Sequence, residues 1–100
     1  MNWEQKCEMI KYSNSGDNDN FCKIVVDNID TIDEQGWDMF FTAIELTAQN
    51  IEKNLEQYKI INAATKELKT KSIRTAMRMV MYQQLVEDLI SNEKNIKNAE

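Results

Sequence analysis

The chain has 100 residues, of which 42% are hydrophobic and 29% charged, with a net charge of −5 at neutral pH. That length fits one domain with one modest core, and that balance is too apolar for a disordered chain. No apolar run approaches the roughly 18 residues of a membrane span; the longest, residues 39–46, is broken by Thr42 and Glu45.

The opening stretch, residues 1–6, lacks the basic head and apolar segment of a secretory signal, so a cytoplasmic protein is expected. There is no proline and there are two glycines. Turn-rich β folds need more of both, whereas helix bundles need fewer. Cys7 and Cys22 are expected to be free, mostly buried thiols. Without histidine or a CxxC pair they match no structural zinc pattern, so neither metal nor cofactor is expected.

In chain order, Asn2 with Gln5 three residues on forms a capping pair that starts a short helix to about Tyr12, with Trp3, Cys7 and Ile10 (and Met9 nearby) at helical spacing. Residues 13–20, polar and containing Gly16, read as a loop. Asp17 and Asp19 resemble the start of a calcium loop, but Phe21 and Cys22 stand where that pattern needs an acid or amide and a glycine. Phe21, Val25, Ile29 and Ile32 fit one helical face. The β-branched run Ile24, Val25, Val26 would also suit a strand, but no other segment reads as β, so a helix is expected.

Thr31 and Glu34 have capping-box spacing and should open the next helix, weakened by Gly36. From Trp37 a heptad-like seam runs through Phe40, Ile44, Thr47, Ile51, Asn54, Tyr58, Ile61 and Thr65 to Leu68, flanked by Phe41, Ala48, Leu55 and Ala64. A single helix over 37–68 would be roughly 48 Å long, with polar Thr47 and Asn54 in the middle of its seam. Residues 69–72 read as a turn, and Ser72 as the cap of a second long helix over about 73–95. Its apolar face is expected to be Ile73, Met77, Val80, Met81, Leu85, Leu89 and Ile90. Met77 and Met81 share that face and Met79 points elsewhere, which reads first as core packing with one peripheral methionine and second as an adaptable binding surface. Trp3, Trp37, Phe40 and Phe41 read first as core. Residues 96–100 should fray. The expected fold is all-α: a small bundle built on a long antiparallel hairpin (about 37–68 and 73–95) with one or two shorter N-terminal helices, as a single domain.

Without histidine, Ser-His-Asp and Cys-His catalysis have no base, and two isolated glycines make no phosphate loop. No enzyme is expected. The charge layout is the sharpest remaining feature. Residues 17–38 carry seven acids (Asp17, Asp19, Asp27, Asp30, Asp33, Glu34, Asp38) against Lys23 alone. Residues 66–78 carry five bases (Lys66, Lys69, Lys71, Arg74, Arg78) against Glu67 alone. Three readings compete: a solvated dipolar surface or self-complementary ends that steer a homodimer; an acidic face for a basic, nucleic-acid-handling protein; and a basic hairpin tip for nucleic acid, which the net negative charge opposes.

The expectation is a small acidic protein-binding module with no membrane association, an inhibitor or modulator of a nucleic-acid-processing protein. By analogy of type alone it is like phage accessory and immunity proteins. The alternative is a homo-oligomeric structural or chaperone-like helical protein.

Overall fold

The computed structural model describes residues 1–46 and 48–99, with the side chains of 45–48 and 94–99 outside the description. The chain is all-α. Six helices follow in order among the described residues: α1 (Trp3–Ser15), α2 (Asn18–Asp27), α3 (Glu34–Leu46), α4 (Ala48–Lys53), α5 (Leu55–Thr65) and α6 (Ile73–Ala99), with a 3-10 turn at Ile29–Thr31 between α2 and α3.

The expected start of α1 is present. Gln5 N–H donates to Asn2 Oδ1 at 2.8 Å, and Asn2 N–H donates to Gln5 Oε1 at 2.9 Å. Its inward face is only partly the expected one, with Met9 in the core and Ile10 packed against it. Lys6 and Met9 are buried, whereas Trp3 and Cys7 are exposed. The reason is the buried Lys6 stem, whose ammonium reaches Asp33 and Gln35 on the far side and turns α1 away from the Trp3 face.

The expected loop over 13–20 is reduced to Gly16 and Asp17. Gly16, at φ 74°, ends α1 in the left-handed conformation, and Asp17 N–H donates back to the Tyr12 carbonyl at 2.9 Å. Asp17 then caps α2 through its side chain, accepting from Asn20 N–H at 3.3 Å. Cap chemistry accounts for the polarity of the stretch. The ambiguous segment after it is helical to Asp27, with Phe21, Cys22 and Val25 inward.

Asp33, not Thr31, opens α3. Its carboxylate accepts from Gly36 N–H at 2.9 Å, and its carbonyl from Trp37 N–H at 3.0 Å. Thr31 instead lies in the 3-10 turn and donates to Asn28. Gly36 is required by close approach as well as tolerated. A Cβ there would lie 2.9 Å from Ile32 Cγ2 and 3.1 Å from Asp33 Oδ1.

The single helix expected over 37–68 is broken. Asn54 leaves helical geometry (φ −124°, ψ 36°), and its side-chain amide donates to the Asn50 carbonyl at 3.3 Å. Thr47, the other polar seam residue, lies outside the described residues. A straight rod of that length would carry its far half away from the core. The break instead lets Leu55, Tyr58 and Ile61 join Trp37, Phe40, Phe41 and Ile44 in one buried cluster. The long hairpin shortens to α5 and α6. These run antiparallel, as the pairs Thr65–Gln83, Lys66–Glu87 and Lys59–Glu93 show. The connection between them spans 66–72. Ser72 caps α6 as expected, its Oγ accepting from Thr75 N–H at 3.2 Å, and α6 continues to Ala99 instead of ending near Asn95.

The rotation of the first part of α6 departs furthest from expectation, whereas Leu89 and Ile90 of the expected face are partly buried against the core. Thr75, Met79, Tyr82 and Val86 face inward. Ile73 is 78% exposed, Met77 62%, Val80 65% and Met81 65%. Tyr82 holds this orientation. Its ring centroid stands 5.5 Å from Phe40, 5.7 Å from Phe41 and 6.5 Å from Tyr58, and its hydroxyl donates to the Tyr58 carbonyl at 2.9 Å. Tyr82→Phe should lose about 1 kcal/mol of unfolding free energy, the net worth of one hydrogen bond, and Tyr82→Ala about 3–5 kcal/mol. Urea denaturation followed by circular dichroism measures both.

Candidate binding surface

Of the seven acids expected to form one face, three have partners within the chain. Asp17 is spent capping α2. Asp33 caps α3 and accepts from the Lys6 ammonium at 2.9 Å. Asp38, on α3, accepts from Arg78 Nη1 at 2.9 Å and lies 3.9 Å from Arg74 Nε. Asp19, Asp27, Asp30, Asp33 and Glu34 are exposed, distributed over α2, the 3-10 turn and the start of α3. Glu8 of α1, which the charge count passed over, joins Asp27, Tyr12 and Asn28 in lining a groove between α1 and α2.

The five bases are likewise divided. Lys66 pairs with Glu87 at 3.1 Å across the hairpin. Arg78 donates to the Asp38 carboxylate and also, at 2.6 Å, to the Thr42 hydroxyl. Lys69 and Lys71 are exposed on the connection before α6. The acidic and basic stretches therefore meet each other at Asp38, tying α3 to α6. Residues 38 and 78 are forty positions apart in sequence, and no local pattern connects them.

Lys6 is the other functional-looking charge that sequence reading missed. It sits buried between Asp33 and Gln35. The hydrogen bond from Lys6, assisted by the Gly36 amide and the nearby positive charge, holds the Asp33 carboxyl below its ordinary range, against some desolvation. Burial pushes the Cys22 thiol up to about 11, opposed by a hydrogen bond with Tyr58, so it stays protonated and unreactive at neutral pH. Burial also raises the Tyr58 and Tyr82 hydroxyls. Among the described residues no three Cys, Asp or Glu side chains stand close enough to share a metal ion, and no helix is long and apolar enough to cross a membrane.

The remaining surface feature is the outer side of α6. Ile73, Ala76, Met77, Val80 and Met81 line a shallow groove with apolar side chains only. A second groove, lined in part by Thr65, Leu68 and Thr70, lies beside it and shares Ala76 and Val80. Of the two readings of the methionines, core packing holds for Met79 alone. Comparison of the sequence with protein-family models and with curated proteins, and of the fold with solved structures, finds no match.

Because the folded-state pKa of Asp33 is depressed, its pairing with Lys6 stabilises the fold at pH above the unfolded value of about 3.9, and that contribution is lost as pH falls through the lower folded value. The urea midpoint should therefore fall on acidification below about pH 4, and Lys6→Met should flatten this dependence. A Lys6→Met chain with an undiminished acid dependence would show that the pair is not its source.

Proposed function

We propose that this chain is a non-catalytic protein-binding module that receives its partner on the outer face of α6. The observation that carries the reading is the contiguous exposure of Ile73, Met77, Val80 and Met81 on a helix whose opposite side already supplies the core. Large apolar side chains standing together in water are disfavoured unless another surface covers them. Unbranched methionines adapt to the shape of what they meet. The sequence contains no histidine to act as a base, and the best-positioned carboxylates serve as caps and ion-pair partners. A cytoplasmic location belongs to the same reading, supported by the free thiols of Cys7 and Cys22.

A second reading keeps the acidic surface as the contact, as for an inhibitor of a basic nucleic-acid-processing protein. The exposed Asp19, Asp27, Asp30 and Glu34 support it, and Glu8 and Asp27 outnumber Lys23 in the groove they line together. Affinity capture from the native host separates the two. With the α6 face as the contact, Val80→Asp abolishes recovery of the partner and Asp27→Lys/Asp30→Lys leaves it intact; the acidic contact gives the reverse. Equal recovery with both variants would sink both readings.

A further inference from the structure

Resting on the α6 reading, we infer that the occupant of this face is α6 of a second copy of the chain, crossed antiparallel in a twofold dimer. The ridge of Ile73, Met77, Met81 and Leu85 steps by four residues along the exposed side. It reads almost the same from either end, with branched aliphatics outside and methionines within. A twofold axis beside residue 79 sets Ile73 against Leu85 of the second copy and Met77 against its Met81. A surface that matches itself under a twofold rotation is what an isologous interface requires. Ridges at this spacing pack into each other's grooves at a crossing angle near −50°. Ala76 leaves the depression alongside Val80 in which a neighbouring side chain can lie.

Charge selects the antiparallel sense. Arg78 pairs with Asp38, Glu87 with Lys66 and Glu93 with Lys59 within the chain, which leaves the exposed Lys69 and Lys71 before α6 and the exposed Asp88 beyond the ridge. Antiparallel pairing brings Lys69 and Lys71 of each copy toward Asp88 of the other, whereas a parallel pair sets like charge on like. The register that matches the apolar ridge sets Lys71 at the level of Glu87 of the second copy, with Asp88 the adjoining residue. Lys71 is exposed, and the Asp88 carboxylate accepts from Gln84 at 2.8 Å on the solvent side. The apolar contact, from 73 to 85, is about 18 Å long. That is at the small end of stable interfaces, so dissociation in the micromolar range, on the order of 1–50 µM, is expected.

Analytical ultracentrifugation of the full chain between about 1 and 200 µM, a range bracketing that affinity, tests the inference. The unmodified chain should pass from monomer to dimer. Met81→Glu acts twice at a twofold interface and should weaken dimerisation by about 100-fold or more. Its circular dichroism should be unchanged, because the position lies outside the core. Lys71→Glu should weaken it by about 10-fold, and adding Asp88→Lys should restore it. A chain monomeric throughout the range, or a dimer indifferent to Met81→Glu, overturns the proposal. Failure of Asp88→Lys to rescue Lys71→Glu overturns the antiparallel register. If the chain stays monomeric while Val80→Asp still abolishes capture of a host protein, self-association fails and the α6 docking face stands.

Discussion

The seat of Tyr82 determines which side of α6 meets water. Its ring needs aromatic neighbours and its hydroxyl needs an acceptor once buried. The only arrangement described that supplies both lies between α3 and α5, against Phe40, Phe41 and Tyr58, with the Tyr58 carbonyl in reach. Once Tyr82 is there, the helical repeat takes Thr75, Met79 and Val86 inward with it. Ile73, Met77, Val80 and Met81 are then carried to the opposite side. The interior contact and the exposed apolar face are two consequences of one rotation.

Two long-range ion pairs reinforce that arrangement. Arg78, bound to Asp38 and Thr42, holds the flank of α6 against α3. Lys6, bound to Asp33 and Gln35, holds α1 against the start of α3. Asp38 and Asp33 thereby take part in the scaffold, although the Asp33 side chain stays exposed. An Arg or Lys stem lying over apolar neighbours contributes packing as well as charge. Charge that looked available for a partner when counted along the chain is partly neutralised inside it. This weakens the acidic-face reading and leaves the outer α6 face as the larger unbalanced feature.

The short aromatic run of α3 explains how so small a chain closes a core. Trp37, Phe40 and Phe41 contact one another and reach Phe21 on α2 and Tyr82 on α6. One helix thus bridges the N-terminal pair and the C-terminal hairpin. The break at Asn54 completes the closure by folding α5 back onto α2 and α6, where the Tyr58 hydroxyl donates to Asn18 at 3.0 Å.

Local features of the sequence settled much of this. The Asn2–Gln5 box, the Ser72 cap and the helical class follow from hydrogen bonds and propensities that act within a few residues. The burial of Trp37, Phe40 and Phe41 follows from their size and spacing. One failure is local and the others are non-local. Gly16 and Asp17 carry a two-residue junction that looks like a loop because cap residues and loop residues are the same polar types. Asp33 displaced Thr31 as the cap because Lys6, from another helix, fixes its carboxylate. α6 carries apolar side chains on two opposite faces, 73–77–80–81 and 79–82–86, and periodicity scores either as the inside. Only the tertiary structure could choose, because the deciding contacts come from residues 38 to 42 and 58, distant in sequence and brought near by the fold.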